Sequence, residues 1–474
     1  MNLSDEFISQ MRDLLGEEYP AFVASLNNEV PVSIRINDAK SGNLPSGNPE
    51  VLFDNNRGNI LWCDKGHYLK SRPSFTFDPQ FHAGHYYVQE ASSMFLEQAI
   101  KAFVTESVCA LDLCAAPGGK STHLSSLLPA NSLLVSNEVI RSRANILVEN
   151  MIKWGNPSVI VTNNDPADIG KIENCFDLIL TDVPCSGEGM FRKDPQAINE
   201  WSPANVNLCA ERQRRIIADI WPALKPGGIL IYSTCTYNTL ENEENIAWIT
   251  KKLGGEAIEI PTDKSWRIKG NLKGDFPVYR FMPHQTTGEG FFMAAIRKER
   301  NSEGVNGNYR EFEEEFRGKK SKKQKNQPEK SLKIPQELNS WILEPEKFHF
   351  FENNGIFSAI PLENQEKFRI FKERLKVIHA GIAIGELKGK DIIPCHNLAL
   401  STAFNRKTFP ELALDKTQAT NYLRKEALFN LPDDCSKGHN IVSYNGTPLG
   451  FIKNIGNRAN NLYPQEWRIR SSIG

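Results

Sequence analysis

The sequence predicts an α/β fold built around a Rossmann-like domain, with a smaller α+β domain before it and a mostly-β region after it. Three observations carry this prediction. From residue 108 onward, short apolar runs alternate with helical stretches, which is the pattern of repeated strand-helix units and a parallel sheet. The first hundred residues hold one amphipathic helix and one alternating strand instead. Past a charged stretch at 299–335, aromatic and β-branched runs resume around the hairpin dipeptide Asn445-Gly446. A chain of 474 residues exceeds a single ordinary core, so several domains are expected. The divisions fall at 1–100, 101–299, a linker at 300–335, 336–415 and 416–474.

Composition excludes several classes. With 40% hydrophobic residues the chain is not disordered, and a formal net charge of -1 means that any nucleic acid must be held by local Lys and Arg patches. Asp5 and Glu6 stand where a secretory signal would need basic and apolar segments, and no apolar run reaches membrane-spanning length. Nine cysteines without framework spacing predict reduced thiols and a cytoplasmic location. No CxxC pair is present, so neither a structural zinc nor any other metal is expected.

Taken in order, Phe7, Ile8, Met11, Leu14 and Leu15 follow helical spacing behind a Ser4 cap, with Gly16 as the stop. Val32, Ile34 and Ile36 alternate with Ser33, Arg35 and Asn37, which predicts a strand with one covered and one wet face. In the central domain strands are predicted at 108–113, 133–136, 158–161, 176–180 and 229–233, and helices at 120–128, 142–153, 205–224 and 241–253. Pro226-Gly227-Gly228 is expected to break the chain before the last of those strands, and a strand pair near 290–296 to close the sheet. The acidic and basic clusters of the linker lack the apolar surface needed to fold alone and read as a solvated segment.

The turn Asp112-Leu113-Cys114-Ala115-Ala116-Pro117-Gly118-Gly119-Lys120 follows the first strand of the central domain, where a doubly wound sheet binds ligands. Cys114 stands where a phosphate loop needs glycine, and the three spaced glycines of a nicotinamide fingerprint are missing. A methyl-donor pocket or a purely structural turn remain. Glu138, at the end of the second strand, is placed to accept hydrogen bonds from ribose hydroxyls and favours the pocket. Asp165 follows the third strand, where it either meets an adenine amino group or simply forms the turn.

Two further segments, Asp182-Val183-Pro184-Cys185 and Ser233-Thr234-Cys235-Thr236, each place a cysteine just past a buried strand. Cytosine C5 is a weak nucleophile, and a thiolate added to C6 turns it into an enamine-like carbon able to take a methyl group. Asp182 is the expected partner of N3, and Cys185 can assist release of the adduct. Arg192 and Lys193 are candidates for phosphate contacts. The other cysteines, together with His82, His85 and His123, read as structural or solvated.

With those residues in place, the chain resembles the Nop/Sun (NSUN) family of RNA cytosine-C5 methyltransferases, in particular its bacterial RsmF-like branch acting on 16S ribosomal RNA. The matching segments are 111–120, 182–195, 233–243 and 283–294, with Gln89-Glu90-Ala91-Ser92-Ser93 at the entry to the catalytic domain. The resemblance implies a class I methyltransferase domain using S-adenosyl-L-methionine. It assigns Cys114, Ala115, Ala116, Pro117, Gly118, Gly119, Lys120, Glu138, Asp165 and Asp182 to the cofactor, and Cys235 and Cys185 to nucleophile and release. It also implies a PUA-like RNA-binding module at 437–463 and a monomer acting on ribosomal RNA, either free or in the small subunit. Val183 departs from the alanine usual in the family. A transfer-RNA cytosine-C5 methyltransferase and a non-catalytic ribosome assembly factor are the alternatives.

Overall fold

The computed structural model describes residues 1–42, 44, 47–300, 334–428, 431–433 and 435–471. Most of the predicted linker, residues 301–333, therefore lies outside the described residues.

The central sheet runs Gly255–Ile258, Phe291–Lys298, Leu224–Thr234, Phe176–Asp182, Cys109–Asp112, Leu133–Asn137, Val159–Thr162 and Val377–Ala380 from edge to edge. Its middle five strands are parallel. The chain builds outward from Cys109–Asp112 in one direction and then returns to add Phe176–Asp182 and Leu224–Thr234 on the other side. That reversal opens a crevice at the carboxyl ends of the two strands where it occurs. Leu111, Val135, Ile160, Ile179 and Leu230 are among the fully buried side chains at the core of this layer.

Two central elements differ from expectation. The long helix is Pro203–Ile220, because Pro222 has no N–H to continue it and Trp221–Ala223 tightens into a 3-10 turn. Pro226-Gly227-Gly228 does not break the chain. It lies within the Leu224–Thr234 strand as a bulge, with Phe176 paired to Leu224 and Leu178 already to Ile229.

At the N-terminus, helix Asp5–Leu15 is capped by Ser4, whose hydroxyl accepts from Phe7 N at 3.2 Å, and stopped by Gly16 at φ +53°. The four-stranded sheet of this region takes Val32–Ile36 as a middle strand. The face predicted to be wet is covered: Ser33, Arg35 and Asn37 are all buried. The reason is docking onto the central domain, where the Arg35 guanidinium donates to Thr122 Oγ1 at 2.7 Å and lies over the Trp154 ring. Helix Leu96–Phe103 runs continuously across the division expected at residue 100.

Beyond the linker there are two more four-stranded sheets. One contains Phe348–Asn353, Ile356–Pro361, Ile382–Lys388 and Asp391–Pro394, and the other Glu411–Leu414, Gly438–Tyr444, Thr447–Asn454 and Ala459–Asn461. The last sheet thus takes its first strand from before residue 416. Asn445 and Gly446 turn its hairpin with positive φ angles of 47° and 75°.

Candidate active site

Both cysteine segments arrive at the same place because their strands are neighbours in the sheet. Phe176–Asp182 and Leu224–Thr234 run parallel with Asp182 opposite Ser233, so the residues that follow them emerge side by side. The Cys185 and Cys235 sulfurs lie 3.2 Å apart, and both side chains are half-buried. The hydrogen bond with Cys235, then burial, pushes the Cys185 thiol well above the ordinary cysteine range, so Cys185 keeps its proton.

Asp182 ends the first of these strands. Its carboxylate accepts from Lys120 Nζ and from Ser233 Oγ, both at 2.8 Å. Burial opposes the charge of Lys120, but Asp182 outweighs it and pushes Lys120 up, with Asp112 and Cys235 contributing. Lys120 also sits over the Phe291 ring, 5.1 Å from its centroid. One ammonium thus links the glycine turn, the Asp182 carboxylate and the cysteine pair.

The glycine turn is held from three sides. Arg143 donates to Ala116 O at 2.7 Å, Asn150 to Pro117 O at 2.8 Å, and Ala115 N to Asn137 O at 2.9 Å. Gly118 has φ +121° and offers no side-chain cap to helix Gly119–Leu127, which leaves the first N–H groups of the helix toward the crevice. Glu138 is buried, accepts from Ile140 N at 2.9 Å and pairs with Arg143 at 3.1 Å. Asp165 is exposed and caps the short helix Pro166–Gly170 through Ala167 N at 3.0 Å. Asp112 is fully buried; Ser121 donates to one of its oxygens at 2.7 Å and the other has no partner. Burial pushes this carboxyl up to about 7.

Sequence reasoning missed two buried carboxylates that shape the cysteine loops. Glu188 accepts from Tyr237 N at 2.6 Å, Asn238 N at 2.9 Å, Trp201 Nε1 at 3.0 Å and Gln10 Nε2 at 3.1 Å. It ties the segment after Cys235 to the N-terminal helix, whose Phe7 packs 5.1 Å from Phe191 and 5.3 Å from Trp201. Glu241 accepts from Ser186 N at 3.0 Å, Gln213 Nε2 at 2.7 Å and Asn238 Nδ2 at 2.8 Å, and so fastens the loop of Cys185 to that of Cys235. The only signal for either was an acidic residue within an otherwise small and polar loop.

Arg192 and Lys193 are turned inward in part. Arg192 donates to Gly288 O, and Lys193 lies 3.4 Å from Glu289 with half its side chain exposed. Both therefore brace the segment leading to Gly290 and Phe291. Of the two readings given for His123 the structural one holds: it is buried, with Nε2 3.3 Å from Glu97 and 3.8 Å from Cys63. Burial tends to raise Glu97, but hydrogen bonds from His123, Lys101 and Cys63 hold it at about 2, while His123 Nδ1 has no hydrogen-bond partner.

Residues 102–297 match the family model for the 16S rRNA methyltransferase RsmB/F, residues 3–91 that for the N-terminal domain of 16S rRNA methyltransferase RsmF, and 409–469 that for the methyltransferase RsmF PUA domain. The ribosomal RNA small subunit methyltransferase F of Aliivibrio fischeri (strain MJ11) is 30% identical over 481 residues, spanning 98% of this chain and 97% of that one. The chain belongs to the RsmB/F family. A second relative of the same name, from Enterobacter sp. (strain 638), is also 30% identical, over 98% of this chain and 95% of its own. Among solved structures, a methyltransferase homolog protein from Pyrococcus horikoshii is 28% identical with a TM-score of 0.52, covering 62% of this chain and 95% of that one. NSun6 from the same organism, solved with SFG, shares the fold at 21% identity and a TM-score of 0.51, covering 62% of this chain and 98% of its own.

The cofactor of the RsmB/F family is S-adenosylmethionine, and the residues present fit it. Three carboxyl groups, Asp112, Glu138 and Asp182, gather at the strand ends with an unpartnered buried oxygen among them, a set of acceptors suited to ribose hydroxyls and a cationic ligand. Val183 is buried in the core below the cysteines, so its departure from alanine affects packing there.

Proposed function

We propose that this protein transfers a methyl group from S-adenosylmethionine to C5 of a cytosine in small-subunit ribosomal RNA, with Cys235 as nucleophile and Cys185 as the thiol that releases the product. The 3.2 Å approach of the two sulfurs, beside Asp182 and Lys120, is the observation that carries this reading.

Cys235 bonds through sulfur to C6 of a base swung out of its helix or loop. The thiol proton lost in that step is taken up at N3, with Asp182 as carrier: Lys120 and Ser233 donate to its carboxylate in the free protein, which keeps it an acceptor. S-adenosylmethionine, when bound, supplies the methyl carbon that the activated C5 takes. The C5 proton must then leave, the N3 proton return by way of Asp182, and the sulfur–C6 bond break, so that of the two protons lost one passes to solvent and one is regained by sulfur. Cys185, in contact with Cys235, is placed to carry it. Glu138 and the turn 114–120 would hold the cofactor's ribose and amino-acid end, and Asp165 its adenine.

The PUA match at 409–469 supports an RNA substrate, and the nine free cysteines support a reducing compartment, the cytoplasm. Among the described residues, no helix is long and apolar enough to cross a membrane. One copy of the chain supplies every residue of the site, consistent with a monomer. The test is methyl transfer from labelled S-adenosylmethionine to RNA from cells lacking the protein, followed by digestion to nucleosides. Label in 5-methylcytidine of the small-subunit RNA supports the reading, label in transfer RNA redirects it, and cofactor binding with no transfer to any RNA points to an assembly factor.

A further inference from the structure

Within the central domain alone, Val159–Thr162 would be the edge of the sheet, yet a strand from beyond the linker covers it. Val377–Ala380 pairs with it antiparallel, Val377 opposite Thr162 and Ala380 opposite Ile160, and Gly381 N donates to Val159 O at 2.9 Å. The contact continues past the strand into the loop that leads to Asp165. Asn163 N donates to Lys376 O at 3.0 Å, and Lys376 N donates to Asn164 Oδ1 at 3.0 Å.

From there the bonds run inward. Asn163 Nδ2 donates to Glu138 O at 2.8 Å and Val139 O at 2.9 Å. Asn164 N donates to Asn137 Oδ1, and Asn137 Nδ2 to Asn164 O, both at 3.0 Å, while Asn137 also reaches Leu113 O at 3.2 Å. A continuous set of hydrogen bonds therefore joins the C-terminal half to the ends of three central strands, where Leu113, Glu138 and Asp165 stand. A ligand site is tight when its contacting groups are held in place before binding, and this set holds them from the outside.

We propose that Asn164 is a positioning residue through which the C-terminal half, by way of Lys376, fixes the adenosine end of the cofactor pocket. The proposal rests on the assignment of Glu138 and Asp165 to the cofactor. It makes the C-terminal half a structural part of the methyl-donor site as well as a place to bind RNA.

The test is calorimetric titration of S-adenosylmethionine into the full-length protein, with melting temperature and cofactor-free RNA affinity measured on the same samples. Asn164→Ala is expected to raise the dissociation constant roughly 3- to 10-fold, the worth of one hydrogen bond, with RNA affinity unchanged. Asn164→Asp keeps an acceptor for the Lys376 N–H and should restore tight binding. Glu138→Ala separates the two readings. If it weakens cofactor binding while Asn164→Ala does not, the coupling is wrong and the pocket stands; if neither variant changes binding, the pocket assignment fails and the coupling with it. Equal losses of cofactor affinity, RNA affinity and melting temperature in Asn164→Ala would reduce Asn164 to a general structural residue and overturn the proposal.

Discussion

The sulfurs of Cys185 and Cys235 lie 3.2 Å apart although fifty residues separate them, because parallel neighbouring strands deliver them to the same end of the sheet. Their mutual hydrogen bond and burial push the Cys185 thiol well above the ordinary cysteine range, and the Lys120 ammonium that grips Asp182 also interacts electrostatically with Cys235. The consequences below follow from how that pair is supported.

Glu188 is a buried carboxylate without a cationic partner in its hydrogen-bond set, satisfied by backbone and side-chain N–H groups on either side of the cysteine loops. Glu188→Ala orphans those donors at about 1–3 kcal/mol each where water cannot replace the carboxylate. The variant should melt lower by several degrees and lose most of its turnover, as measured by thermal denaturation and methyl transfer. An unchanged melting curve would mean that the loop does not depend on this residue.

Gly189 touches the backbone of Cys235, the proposed nucleophile. A Cβ there would sit 2.8 Å from Cys235 O and 2.9 Å from Gly290 O, closer than carbon and oxygen tolerate, so Gly189→Ala must displace the Cys235 loop. Turnover should fall by at least about tenfold, since small misplacements at a reacting atom are costly, while cofactor affinity stays at the wild-type value. Steady-state kinetics together with calorimetry would check this; a parallel loss of cofactor binding would contradict it.

Asp112 predicts a pH effect. Its carboxyl is raised by burial to about 7, whereas in the unfolded chain it titrates near about 4. The folded state therefore holds a proton that the unfolded state releases, so this group's contribution to stability is present at low pH and is lost as pH rises through about 7. Without cofactor, the melting temperature of the wild type relative to Asp112→Asn should fall between pH 5 and about 7.5 and then level off. A constant difference across that range would show that Asp112 is ionised throughout.

Much of this was legible in the sequence, and the parts that were not share a cause. The central strands and the two cysteine segments could be read because apolar runs, glycine turns and strand ends are local signals. Arg35 could not be placed: alternation along one strand shows that a face is polar, not that Thr122 and Trp154 will cover it. Glu188 and Glu241 could not be singled out because their donors come from distant segments. His123 could be read only as structural or solvated, because its partners Glu97 and Cys63 come from other elements. The strand Val377–Ala380, far from its partner along the chain and beyond the linker, carries no local mark of the sheet it joins.

The most direct test of the central claim is a denaturing gel of the Cys185→Ala protein incubated with substrate RNA and S-adenosylmethionine. A nucleophilic Cys235 whose release depends on Cys185 predicts a protein band shifted by covalent RNA, removed by ribonuclease and absent from the double variant Cys185→Ala/Cys235→Ala. A shifted band that persists when Cys235 is replaced, or full turnover by Cys235→Ala alone, would contradict the account.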